Sequence, residues 1–181
     1  MNKGSKLGLL SAGLCLGAAA AALTPPAAAG ASGAVVSRGA LVELNSSGVH
    51  GQVTIVDQDG HLRVNLDAHH LEANGHLEHL HGFGDGTQAH CPDASLAGPD
   101  GILSFADGLP AYGPPVITFG HDELTGSSLA YSRTFDQTMA GQPASTLGAI
   151  NQYVVVVHGM TLPDGTYDET LPVACAVLTT R

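Results

Sequence analysis

Alternating apolar residues run into and out of one Asp-Gly turn. Val53-Thr54-Ile55-Val56 leads into Asp57-Gln58-Asp59-Gly60, and Leu62-Arg63-Val64-Asn65-Leu66 leads out. Period-two alternation on both sides of a turn that ends in glycine predicts an antiparallel hairpin with one face in a core. Residues 40–44, 79–83, 116–119, 128–135, 152–158 and 173–178 read as further short strands, separated by Gly, Asn, Asp and Pro. No segment sustains a helical period, and residues 107–110 leave room for one helical turn at most. The expectation is an all-β fold, a Greek-key β-barrel or sandwich of immunoglobulin-like build, with long loops. The stretch from Cys91 to about Gly148 is rich in proline and loop. Long loops on a rigid β scaffold are common homes for sites.

The first 29 residues read as an export signal. Lys3 and Lys6 precede an uncharged, Ala-rich run from Leu7 to Leu23, and Ala27-Ala28-Ala29 offers a small-residue cleavage site. The apolar run is short for a membrane span and soon meets Pro25-Pro26. Cys15 raises a lipid anchor as the alternative, but Leu14 before it is a poor lipobox residue. The expected organisation is a signal peptide over 1–29, a flexible linker over 30–39 and one β-barrel domain over 40–181. The protein is then secreted and, after cleavage, has no membrane segment.

Charge narrows the partners. Loss of 1–29 removes both lysines and leaves 4 arginines against 16 carboxylates, a net charge of −12. Nucleic acid and anionic membrane surfaces do not suit such a chain. The same cleavage leaves two of the 3 cysteines, Cys91 and Cys175. In an oxidising compartment such a pair most simply forms a disulfide; two separate buried thiols are the alternative.

The chemistry-bearing residues are histidines. His79 and His81 stand at i and i+2 of an expected strand, so both point to one face and can serve one metal ion. His158 closes the apolar run Tyr153-Val154-Val155-Val156-Val157. Three imidazoles suit copper, and a metal-free barrel whose histidines bond to backbone groups is the alternative. His90 and His121 are the candidates for a fourth ligand. His69-His70 and His76 read as exposed turn residues with a capacity for adventitious metal, and His50 and His61 as surface hairpin residues. Asp85 reads as a turn cap, Asp93 and Asp100 as solvated loop carboxylates. No nucleophile elbow or phosphate loop occurs.

His79-Leu80-His81-Gly82-Phe83-Gly84-Asp85-Gly86-Thr87, then Cys91, then Val155-Val156-Val157-His158, then Ala174-Cys175-Ala176-Val177 is an order that resembles the copper/zinc superoxide dismutases. The hairpin Gly48-Val49-His50-Gly51-Gln52-Val53 with its turn at Gly60 matches in spacing, so the likeness runs from about Ala40 to the C-terminus. The resemblance implies a Greek-key barrel, a copper site on His79, His81 and His158, and a Cys91–Cys175 disulfide.

The departures bear on activity. Where the family places a bridging histidine after Ala-Gly-Pro, Ala97-Gly98-Pro99 is followed by Asp100. His121-Asp122 is the only His/Asp pair in the region of the zinc ligands, so zinc is not expected. The family's superoxide-attracting arginine precedes the last cysteine; here Thr170-Leu171-Pro172-Val173-Ala174 stands there, and no Arg occurs between Arg133 and Arg181. The middle segment, Asp100-Gly101-Ile102-Leu103-Ser104 and Asp107-Gly108-Leu109-Pro110-Ala111-Tyr112-Gly113-Pro114, is similar to secreted bacterial dismutase-like or chordin-type (CHRD) domains. Their calcium loop would need carboxylates at Leu96 and Gly98, so calcium is not expected. Three readings follow: a copper-binding dismutase-like protein with little or no dismutase activity, an active copper-only superoxide dismutase, and a metal-free structural or interaction module.

Overall fold

The structure, a computed structural model, describes Met1, residues 33–120 and residues 125–181. The expected signal peptide, Cys15 and the pair His121-Asp122 lie outside the described residues. Nine strands carry the described fold: β1 Val35–Glu43, β2 His50–Gln58, β3 His61–His69, β4 Leu77–His81, β5 Pro115–Gly120, β6 Ser128–Phe135, β7 Val154–Thr161, β8 Tyr167–Val177 and the short β9 Thr179–Thr180. Eight of them lie side by side in the order β5-β4-β7-β8-β1-β2-β3-β6, all neighbours antiparallel, while β9 pairs with β1. The chain crosses between the two ends of this order from β3 to β4 and again from β5 to β6, so the all-β barrel expected from the sequence forms.

The hairpin at Asp57–Gly60 is the β2–β3 pair, in unbroken register from His50↔His69 to Gln58↔His61. Its alternation is kept: Val53, Ile55, Leu62, Val64 and Leu66 are buried while Arg63 is exposed. The barrel is nearly closed. Its two end strands, β5 and β6, are tied where Arg133 Nη1 donates to the Phe119 carbonyl at 3.0 Å and the Phe119 and Phe135 rings meet at 5.5 Å.

Two apolar layers share one sheet. Leu80, Val155, Val157, Val173 and Ala174 join the β2–β3 residues inside the barrel. Val154, Val156, Cys175, Ala89 and Tyr112 form a second layer with Phe83, Phe105 and Leu109. That is why β7 reads as four successive valines and does not alternate: Val154, Val155, Val156 and Val157 are all 0% exposed because both faces of the strand are covered. Burial of each such side chain contributes about 1.5–3 kcal/mol. Cys91 and Cys175 form a disulfide with Cα atoms 5.7 Å apart, tying the long loop to β8 across 84 residues. Closing a loop of that length contributes about 4.5 kcal/mol in the loop-entropy account.

Two expectations need correction. β1 starts at Val35, inside the stretch read as linker, because Val35 and Val36 pair with Asp57 and Val56 of β2. The single turn expected at 107–110 is the helix α1, Phe105–Tyr112. Its period was hidden by Gly108 and Pro110, but its start was legible. Ser104 and Asp107 form a capping box, each bonding the other's backbone N–H. Among the described residues no helix is long and apolar enough to cross a membrane.

Candidate metal centre

Strand register brings the histidines together. β4 and β7 pair Leu77 with His158, His79 with Val156 and His81 with Val154. Residues directly opposite share a face, so His79, His81 and His158 project from the same side of the sheet, with His158 diagonal to His79. The pairing slips at each of them: between Glu78 and His79 and between Leu80 and His81 against β5, and on both sides of His158 against β8. Such bulges re-aim side chains.

The three rings form a compact triangle. Their centroids are 5.4 Å apart for His79–His81, 5.2 Å for His79–His158 and 5.5 Å for His81–His158. One ligand atom of each lies within 4.8 Å of the others, and among the described residues this is the one group of three His, Cys, Asp or Glu so arranged. His81 and His158 are 0% exposed, and His79, at 8%, is the one solvent touches.

Hydrogen bonds set the tautomers. His81 Nδ1 lies 2.8 Å from the Gly113 carbonyl and His158 Nδ1 lies 2.8 Å from the Thr170 carbonyl. A carbonyl only accepts, so each Nδ1 carries the proton and donates it. Both Nε2 lone pairs then face the centre, 3.4 Å apart. Burial pushes the His81 imidazolium pKa down to about 4, against the pull of the Gly113 bond, with His79 adding to the depression. Burial, then His81 and His79, holds His158 well below the usual range. His81 and His158 are therefore neutral near pH 7, with their Nε2 atoms turned toward each other.

Glycines and α1 build the frame. Gly113 has φ +75°, and a Cβ there would meet the Gly82 backbone at 2.7 Å, so only glycine allows its carbonyl this place beside His81. Gly159 follows His158 at φ +113°, and a Cβ there would lie 2.1 Å from the Tyr167 hydroxyl. α1 lays Tyr112 4.5 Å from the His81 ring and Phe105 5.9 Å from the His158 ring. The Tyr112 hydroxyl donates to the Phe105 carbonyl at 2.7 Å.

His76 is not the exposed turn residue expected. It is 1% exposed, with Nδ1 2.9 Å from the His158 carbonyl and Nε2 2.7 Å from the Glu72 carbonyl. It braces the strand that carries His158, a role no local pattern signals. The covering residues Phe105 and Tyr112 were missed too, although the Ser104-x-x-Asp107 spacing marks the helix that presents them. Asp85 accepts from the Thr87 N–H, Asp93 from Ser95 and Asp100 from Ile102, each capping its own turn. His90 is exposed and stands outside the triangle. His50, His61, His69 and His70 are exposed, as expected. The triangle is suited to a single copper ion, and no carboxylate belongs to it.

No protein-family model matches the chain, and no curated protein matches it. Among solved structures, a mutant of superoxide dismutase 5 from Candida albicans is similar over 82% of this chain and 91% of its own, at 14% identity and a TM-score of 0.44. The copper(II) form of that enzyme is similar over 82% and 93%, at 14% identity and a TM-score of 0.41. At these levels the likeness carries no information about activity.

Proposed function

We propose that this chain is an exported copper protein of superoxide dismutase type, a copper-only centre with His79, His81 and His158 as ligands. The observation that supports it is the pair of Nε2 lone pairs of His81 and His158, buried and 3.4 Å apart. Two lone pairs aimed at each other in a dry site repel, and a cation between them removes the conflict. Three imidazoles with no carboxylate fit copper and give a hard cation such as magnesium or calcium nothing to prefer.

Copper held there would supply one-electron redox chemistry. Dismutation takes two superoxide anions and two protons to dioxygen and hydrogen peroxide. The chain's own part is to hold the donor atoms and control access. The carbonyls of Gly113 and Thr170 fix the rings of His81 and His158. Phe105 and Tyr112 exclude water on one side, and the slight exposure of His79 leaves a small anion its approach. A leader over 1–29, a CHRD-type relationship of the segment around α1 and the lack of zinc belong to the same proposal.

A second reading, copper held with little turnover, is favoured by one feature. The site is roofed by aromatic carbon, and the sequence holds no arginine from 134 to 180 to draw in an anion. Stopped-flow dismutation by copper-loaded protein, beside His158→Ala, decides between them. A copper-dependent rate that vanishes in the variant supports the dismutase. A copper ion that is lost in His158→Ala, without a rate in wild type, supports the second reading, and copper uptake unchanged by His158→Ala defeats both.

A further inference from the structure

We propose a second metal site, on the surface, in which His50, His69 and His70 together take a divalent transition cation such as copper(II). It lies outside the buried triangle and does not depend on it.

Register supplies the first two ligands. His50 opens β2 and His69 ends β3, and the two are direct cross-strand partners with ring centroids 5.6 Å apart. His70 supplies the third. Its backbone is left-handed, φ +63°, where glycine or asparagine is the cheaper choice. That turn sets its ring edge-on to His50 at a centroid distance of 4.8 Å. A non-glycine residue held left-handed, with its ring set edge-on against another imidazole, points to use of the side chain. The two spacings, 5.6 and 4.8 Å, bracket the 5.2–5.5 Å of the buried triangle.

The outer bonds have the form that ligating histidines need. His50 Nδ1 lies 3.1 Å from the Gly48 carbonyl, which leaves Nε2 as its lone-pair atom. His69 Nε2 lies 2.7 Å from an Asp67 carboxylate oxygen, which leaves Nδ1. A carboxylate or carbonyl behind the imidazole fixes the tautomer and raises its basicity toward a metal. All three rings are exposed, and the chain's formal net charge of −10 favours a cation. The donor atoms are not yet gathered as tightly as those of the buried triangle. Side chains in water close that gap by turning about χ1 and χ2, so the surface ion binds more weakly than a preformed site would hold it.

Copper(II) titrated into the full protein at neutral pH tests the site. The paramagnetic ion broadens the ring-proton NMR signals of whichever histidines bind it. The expected result is that His50, His69 and His70 broaden together, and that the combined variant His50→Ala/His69→Ala/His70→Ala binds one ion fewer than wild type. Asp67→Asn should weaken that ion by about tenfold without changing the count. In His158→Ala the surface broadening should persist, which separates this site from the buried one. An unchanged copper count in the triple variant, or broadening of one of the three rings without the others, overturns the proposal.

Discussion

His81 and His158 face each other through unprotonated Nε2 atoms 3.4 Å apart, while each Nδ1 is bound by a main-chain carbonyl. Neither ring can turn to relieve the contact without giving up its carbonyl. The buried lone pairs are thus held in opposition by the fold, and the energetics of the site follow from that opposition.

Copper should stabilise the protein. Free copper at about 1,000 times its Kd adds about 4 kcal/mol, which for a domain of this size raises the melting temperature by roughly 10 °C. Calorimetry of metal-free and copper-loaded protein measures it. The shift should be much reduced in His158→Ala, and a wild-type transition that copper leaves in place would count against the centre.

Acid should weaken the metal-free protein before the carboxylates titrate. The folded pKa of His81 is about 4 and that of His158 is also depressed, against an ordinary value of 6.5. The unfolded chain therefore binds protons first as pH falls. Stability is full above about pH 6.5 and declines toward pH 4, by on the order of 3 kcal/mol from His81 alone. His61 has the opposite sign. Its hydrogen bond to Asp136 raises its pKa, so its small contribution is present in acid and is lost as pH rises through the folded value. Denaturant melts between pH 4 and pH 8 check the slope; a flat profile would mean that the two rings titrate normally.

Any dismutation rate should rise with salt. The chain is net −10 and superoxide is an anion, so screening removes a repulsion. At low ionic strength the rate should fall well short of the diffusion ceiling of about 10⁸–10⁹ M⁻¹s⁻¹. Rates measured across sodium chloride concentrations give the sign directly, and a fall with salt would reveal a local positive path to the site.

Gly113→Ala should injure the site more than its distance in sequence from the histidines suggests. A Cβ there meets the Gly82 backbone at 2.7 Å in a conformation that alanine disfavours, so the carbonyl must leave His81. The expected loss is about 1–3 kcal/mol of stability together with weaker copper binding. Denaturant titration and copper competition measure the two, and wild-type copper affinity in a folded variant would show that the carbonyl does not set the ring.

The barrel was legible because strand alternation is local. Residues 53–66 contain their own turn and their own pattern, and they form the β2–β3 hairpin. The triangle was legible in part: His79 and His81 share a face by period two, and His158 joined them through the resemblance. What no window of sequence holds is the β4–β7 register that sets His158 diagonal to His79. Burial of His76 was equally hidden, since its partners are the carbonyls of Glu72 and His158, one of them 82 positions away. α1 was lost because Gly108 and Pro110 weaken its propensity, although the box at Ser104 marks its start.

Among the described residues, the bond from Arg133 to the Phe119 carbonyl spans the seam between the end strands β5 and β6. Strands that end a sheet offer unpaired main-chain groups to any passing chain, and charged side chains are among the devices that blunt them. At this seam a guanidinium occupies a carbonyl that a foreign strand would otherwise find. The same contact that joins the two end strands thereby covers one acceptor at their seam, so a single side chain both completes the described barrel and blocks one point of edge-to-edge pairing.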